Sequence, residues 1–430
     1  MQTILSANHL LRHVVALADE IGLRPAGHPE EDRARAYVQK QLLAYGYNNI
    51  ETLPFKAPDT WAYGIIYPIL LTLAGNALGH RHRAGRVLGG LLALTGAYFF
   101  WKATGCGRHP LTKLAPRRPS ATLIARVPPT VEKKRTVVLL AHVDSNKHRL
   151  TFSPATKKWL LGFTTAGIGA ALGNGIAQVA EGVSGSKGAR RFRQASALAL
   201  TGGLIALFVD ERGPYVDGAN DNASAVACVL GLAERLKAEP LEHTEIWLVF
   251  TGAEEVGCLG MHALLDAYGE TLRDAWFLDF EMVGTEDIAY VTRHSGFSLL
   301  NTYRPDADSV TWAATTARRH PEMGISGREM VMGEEVGTLR SRGYRGLCLA
   351  GIGDDGWLAH WHQSTDDTAH LVSTGLEKAS TFVWWMLQAL DADGIEYDLD
   401  RGLTTTSESI VCTPGQVLDL SSQQAARYET

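Results

Sequence analysis

Cysteine at metal-binding or redox spacing is missing from this sequence. Its five cysteines, Cys106, Cys228, Cys258, Cys348 and Cys412, are scattered without a CxxC pair. That distribution suits a reducing compartment and argues against a disulfide framework or a structural zinc held by thiolates. Positive charge is also short, with 41 Lys and Arg against 46 Asp and Glu and a net charge of −5. No aromatic-plus-basic RNA motif appears either, so nucleic acid is not an expected partner. The stretch Met1-Gln-Thr-Ile-Leu-Ser-Ala-Asn-His-Leu10 lacks a basic segment, an apolar core and a small-residue cleavage site. No signal peptide is expected, and the expected location is the cytoplasm or the cytoplasmic side of a membrane.

What is abundant is apolar sequence, 45% of 430 residues, enough for one large packed domain or two ordinary ones. Residues 7 to 22 carry Leu10, Leu11, Val14, Leu17 and Ile21 at helical spacing, and a second helix is expected from Glu30 to Tyr45. Thr60–Gly79 and Val87–Trp101 hold no charge and are separated by a basic loop, which reads as an apolar helical hairpin. Trp159–Ala180 and Ala195–Val209 form a second pair, split at Ser184–Arg193. Neither pair shows the alternation of a helix with one face in water.

Between and after these hairpins, apolar strands are expected at Ala121–Val127, Arg135–Ala141, up to Thr251, Ala275–Phe280 and Gly343–Ala350, with helices at Ala225–Lys237 and Leu376–Leu390. The alternation predicts a mixed α/β sheet with helices on both faces. Several strands end in chemistry. Leu248-Val-Phe-Thr-Gly-Ala-Glu-Glu-Val-Gly257 stops at Glu254 and Glu255, the 135–141 strand delivers His142 and Asp144, and the 275–280 strand runs into Glu281. Asp221 stands just before a helix, and His362 lies on a late loop. Open α/β sheets bind ligands at such strand ends.

Singly, each residue has an ordinary explanation: Asp221 as a helix cap, Glu281 as the partner of an arginine, His360 and His362 as surface residues. Their joint placement is what such explanations do not anticipate. Imidazole and carboxylate without thiolate is the donor set of a catalytic zinc or manganese, and five donors suggest two ions. Such a site also needs a carboxylate that is not a ligand, to take a proton from water and pass it to a leaving amine. Adjacent Glu254 and Glu255, diverging at a strand end, suit these two roles.

The ordered set Ala141-His-Val-Asp-Ser145, Asp217-Gly-Ala-Asn-Asp-Asn-Ala-Ser224, Gly252-Ala-Glu-Glu-Val-Gly257, Phe280-Glu-Met-Val-Gly284 and His360-Trp-His-Gln-Ser-Thr-Asp366 resembles the dinuclear zinc exopeptidases of the aminopeptidase Y and bacterial leucyl aminopeptidase type. Arg24-Pro-Ala-Gly27 resembles an early segment of that family as well. The resemblance implies a three-layer αβα sandwich with a mixed, mainly parallel sheet and an aminopeptidase acting on peptides with two zinc ions, for which manganese or cobalt are possible substitutes. It implies that His142, Asp221, Glu255, Glu281 and His362 are metal ligands with Asp221 bridging. Glu254 would be the general base, and Asp144 would hold the His142 ring.

Three departures stand out. Glu281 replaces the family's usual Asp, Asp366 and Asp367 compete for one supporting role, and both hairpins interrupt the familiar domain. The expected organisation is a catalytic domain at 1–57 and 119–400, insertions at 58–118 and 148–213 forming an apolar four-helix unit, and a loose tail at 401–430. The insert implies contact with a membrane, or with a second copy of the chain. Two other readings are a single-zinc glutaminyl cyclase, against which His142 argues, and a membrane scaffold with an inactive peptidase domain.

Overall fold

The structure, a computed structural model, describes residues 4–79 and 82–393, so the tail expected at 401–430 lies outside the described residues. The chain opens with helices α1 (Ala7–Val15) and α2 (Pro29–Ala44). Pro29 and the acids Glu30, Glu31 and Asp32 occupy the first turn of α2, where a missing N–H is harmless and negative charge meets the helix dipole. Strand β1 (Ile50–Ala57) precedes helices α3 (Tyr63–Leu78) and α4 (Arg83–Ala103). Strands β2 (Arg118–Val127) and β3 (Arg135–His142) lead into helices α5 (Leu160–Ser184) and α6 (Lys187–Asp210). Then follow α7 (Ala225–Ala238), β4 (Thr244–Thr251), α8 (Leu259–Tyr268), β5 (Trp276–Glu281) and β6 (Asp287–His294). Helix α9 (Ala307–Arg319), β7 (Ser326–Met330), α10 (Glu335–Ser341), β8 (Leu347–Ile352) and α11 (Ser373–Asp393) complete it.

The eight strands form one mixed sheet in the order β1-β2-β4-β3-β5-β8-β6-β7. Its centre, β4-β3-β5-β8, is parallel, so four carboxyl ends emerge at one edge. Both faces are covered, as a parallel core requires. Helices α1, α7, α9 and α11 pack on one side, while α8 and α10 pack on the other through Met261, Leu264, Val336 and Leu339 against Val138, Leu140, Val249 and Phe277. This is the αβα arrangement that the strand and helix alternation predicts.

Three strands went unassigned in the sequence pattern. In β1, Ile-Glu-Thr-Leu-Pro-Phe-Lys-Ala, charge and a proline mask the strand; the structure places it at the sheet edge, where a residue without an N–H is tolerated. The β6–β7 border carries Arg293, Arg328 and Glu329 and looks too polar from sequence.

Helices α3 to α6 pack on one another in sequence order around Ile65, Ile69, Phe100, Ile168, Leu200 and Leu204. The break in the second pair is shorter than the sequence pattern indicates. Only Gly185 and Ser186 separate the helices, because Ser186 caps α6 through Ala189 N and the basic run Lys187–Arg193 is helical. Glycine lets α3 and α4 touch: a Cβ at Gly75 would lie 2.3 Å from Gly89 O, and one at Gly89 would lie 2.1 Å from Gly75 O.

Beside this apolar core the bundle buries a polar network and leaves a largely apolar outer face. Its interior holds Thr72, Asn174, Gln178, Glu181, Arg193 and Ser196, all buried. Its outside displays Leu88, Leu91, Ile176, Leu198, Ile205 and Phe208, all about half exposed or more. Two segments, Lys157–Ser184 and Lys187–Asp210, are long and apolar enough to cross a membrane, and only 28% and 22% of their apolar windows is buried.

Candidate metal centre

Register brings the expected residues together. His142, the last residue of β3, stands level with Thr251 of β4, and Glu281 ends the neighbouring β5. Glu254 and Glu255 follow β4 by three and four residues, Asp221 lies in the turn Ala219–Ser224 that leads into α7, and His362 arrives from the connection between β8 and α11. The backbone turns sharply at these points: Ala253, Met282 and His362 have φ of 53°, 52° and 51°. Such left-handed geometry at non-glycine residues is held only by surrounding contacts and concentrates at functional sites.

Those contacts are specific. Buried Glu31 accepts Ala253 N at 2.9 Å and Ser120 Oγ at 2.9 Å, fixing the turn before Glu254. Asn222 donates to Phe280 O at 2.8 Å and accepts Met282 N at 3.0 Å, bracketing Glu281. Arg24, fully buried, donates to Val143 O at 2.9 Å and Gly218 O at 2.7 Å, tying the loop after β3 to the loop before Asp221. The polar cluster at 217–224 therefore does more than cap a helix.

Asp221 lies between the two histidines. Its Oδ1 is 3.3 Å from His142 Nε2 and its Oδ2 is 3.4 Å from His362 Nε2. Around His142 Nε2, Glu281 Oε2 stands at 3.7 Å and Glu254 Oε2 at 4.0 Å. On the other side, Glu255 Oε2 is 3.1 Å from His362 Nε2. The adjacent glutamates thus face different histidines.

Asp144 meets His142 Nδ1 through its main-chain carbonyl at 3.1 Å and a carboxylate oxygen at 3.6 Å, and that carboxylate also accepts the backbone N–H groups of Glu254 at 3.0 Å and Glu255 at 3.1 Å. It orients the ring and the glutamate turn at once. Of the two competing aspartates, Asp366 is the buried one and accepts Asn220 N at 2.6 Å and Asp221 N at 3.2 Å, whereas Asp367 bonds exposed His370. His360 points away, to Thr365 Oγ1 at 2.8 Å.

The electrostatics favour a bound cation. Burial lifts the Glu254 carboxyl well above its ordinary range; His142 opposes the shift, and Glu255, Glu281 and Asp144 add to it. Glu281 is raised by burial to about 7 against the pull of His142. Conversely, burial disfavours charge on His362, yet Glu255 and Asp221 raise it to about 9. Crowded carboxylates recruiting protons onto imidazoles mark an excess of negative field that a metal ion would relieve. Asp221 Oδ2 and Glu255 Oε1 are buried without a hydrogen-bond partner, and donor atoms of His142, Asp221 and Glu255 lie within 4.8 Å of one another. The donor set fits a metal.

Residues 201–387 match the sequence family described as peptidase family M28. This segment contains Asp221, Glu254, Glu255, Glu281 and His362, while His142 and Asp144 precede it. No curated protein sequence matches the chain. Solved structures share its fold: a zinc aminopeptidase from Bacillus subtilis at TM-score 0.54, with 15% identity over 90% of this chain and 95% of that one, is similar. So are a leucine aminopeptidase precursor from Bacteroides thetaiotaomicron (0.52, 14%, covering 89% and 97%) and a glutaminyl cyclase from the same organism (0.52, 13%, 89% and 98%).

Around the candidate site, three residues escaped sequence reasoning. Asn146 donates to Glu255 Oε2 at 2.6 Å and lies 3.1 Å from His362 Nε2. Its proximity to the His142-Val-Asp144 motif was the available signal. Cys258 donates its thiol to Glu254 Oε1 at 3.1 Å, one helical turn onward. Glu334 lines the same cavity and carried no signal beyond lying in the 330–335 loop. That loop and the one at 354–361 both contribute to the cavity wall, through Met332, Leu358 and Trp361 among others.

Proposed function

We propose that this chain is an aminopeptidase with two zinc ions, held at a membrane by its four-helix unit. The observation that carries the first part is Asp221, which presents one carboxylate oxygen to each histidine. In this reading His142 and Glu281 would hold one ion and His362 and Glu255 the other, with Asp221 shared between them. Zinc, named in the similar solved aminopeptidase, would polarise the scissile carbonyl and acidify a water molecule.

The chain's own residues do the rest. Glu254 takes the proton from water and delivers it to the leaving amine. The Cys258 thiol occupies Glu254 Oε1, which leaves Oε2 facing the donors. Asp144 fixes the turn that carries both glutamates, and Asn146 restrains Glu255 beside His362. The acidic lining of the cavity, including Glu334, favours a substrate's α-ammonium group over a free carboxylate, which is why the N-terminal end of a peptide is proposed as the point of cleavage.

The membrane reading rests on the exposed apolar outer face of the bundle and the polar groups buried within it. A helix of 25 residues, such as α5, spans about 37 Å at about 1.5 Å per residue, against a hydrocarbon core of about 30 Å. Polar side chains face inward and apolar ones outward, as in bilayer proteins. Basic residues mark both ends, Lys102, Lys157 and Lys158 at one and Arg83, Lys187, Arg190 and Arg191 at the other. In this proposal both hairpins, 58–118 and 148–213, are insertions into the catalytic domain.

The test is metal analysis with product identification. Two zinc ions per chain, lost in Asp221→Asn, and release of free N-terminal residues are expected. One zinc per chain, with ammonia released from N-terminal glutamine peptides, would replace this reading by the cyclase. Extraction of the native protein from membranes by alkaline carbonate would refute the spanning bundle.

A further inference from the structure

The cavity that holds the metal centre is walled on one side by the bundle. Tyr63 and Ile65 from the first turns of α3, Ala103 from the end of α4, and Leu160 and Thr164 from the start of α5 line it together with His142, Glu254 and Glu281. On those same turns the outward side chains are exposed: Trp159 is 56% and Phe163 69% accessible, within one residue of Leu160 and Thr164. Cavity wall and outer apolar surface are therefore opposite sides of one helical turn.

A loop of the catalytic domain joins this rim. Leu299 N donates to Thr165 Oγ1 at 2.9 Å, and Asn301 Nδ2 donates to Trp101 O at 2.9 Å, so residues 297–301 are seated on the ends of α4 and α5. Leu299 and Leu300 nevertheless point outward, 63% and 55% exposed, with the Trp101 indole N–H 3.5 Å from Leu300 O. Exposed aromatic and leucine side chains at this end of an apolar bundle, with Lys102 and Lys158 close in sequence, make the pattern of a membrane–water interface with attraction for anionic headgroups. The loop also reaches the metal centre. Phe297 stacks on Trp361 at 5.9 Å and meets Phe152 at 6.3 Å, and Phe152 packs on the His362 ring at 4.5 Å.

Resting on the membrane-held aminopeptidase reading, we infer that the substrate is a peptide anchored in the same bilayer. Its free N-terminus enters the cavity beside the helix ends, and Leu299 and Leu300 dip into the interface to hold the cavity mouth at the lipid surface. A soluble peptide reaches the same metals but gains nothing from this rim.

The experiment uses the full chain reconstituted in vesicles of phosphatidylcholine and phosphatidylglycerol. Two substrates are compared, a leucine-initiated peptide and the same peptide carrying a C-terminal palmitoyl chain. Confinement to the bilayer is expected to lower the apparent KM by about tenfold or more. The double variant Leu299→Ser/Leu300→Ser is expected to lose most of that advantage while cleaving the soluble peptide at the unchanged rate, with an unchanged thermal transition. Equal kcat/KM for both peptides overturns the inference. So does an advantage that survives the double variant, which would be local concentration alone. Failure to cleave either peptide overturns instead the aminopeptidase reading beneath it.

Discussion

Leu248 in the central sheet is fully buried, while Leu198 in α6 is 74% exposed; Arg193, five residues earlier on the same helix, is 2% exposed. The two regions have similar apolar content but sort it in opposite directions. In the sheet, the central strands hide their side chains under helices, and apart from buried Asp279 their charges stand at or next to a strand end. In the bundle, a buried network runs from Arg193 and Glu181 to Asn174 and Gln178, and the leucines face out. The first arrangement is driven by water around the domain. The second would suit the apolar surroundings proposed for it, because inward polar groups such as Asn174 and Gln178 are paired.

The comparison can be broken at four points. Glu254→Gln tests the polar end of the sheet: peptide turnover should fall by about 10²–10⁴-fold, with metal content unchanged by elemental analysis. Full activity in that variant would remove the proton-transfer role. Leu248→Ala, in the apolar heart of the same strand, should cost about 2–5 kcal/mol in denaturant unfolding. A loss below that range would show that the sheet is less tightly packed than its burial indicates.

Leu198→Asp places charge at the middle of α6, on its outer face. If lipid covers that face, insertion should become unfavourable by about 3 kcal/mol, and the protein should leave the membrane fraction on fractionation. In water the same change would be neutral or would improve solubility, so the sign of the effect decides the setting. The smallest effect is expected from Asp144→Asn, which keeps the main-chain contact to His142 but weakens the anchor on the Glu254–Glu255 turn. A loss of about 10–100-fold in metal affinity or activity should be seen by zinc titration and initial rates.

Much of the sheet was legible because parallel core strands are short apolar runs bounded by breakers, as at Leu248–Thr251 and Ala275–Phe280. The edge strand β1 was not, since half of it faces solvent and Pro54 interrupts the pattern. The site was legible in its donors because histidine and carboxylates stood at successive strand ends. Its supports were not: Glu31, Arg24, Asn222 and Cys258 act through contacts with distant backbone that leave no local periodicity.

By itself the sequence determined the chemistry on offer, namely two imidazoles and four carboxylates at element ends with no thiolate pair, together with four long uncharged runs. Side-chain type and spacing are local properties and can be read directly. Only the tertiary structure decided that Asp221 stands between His142 and His362, that Asp144 serves the glutamate turn as well as the histidine, and that the helix ends wall the metal cavity. Those facts depend on the register of β3 against β4 and β5 and on the seating of residues 297–301 against the helices. Such contacts join residues far apart in the chain, and no local pattern encodes their distance.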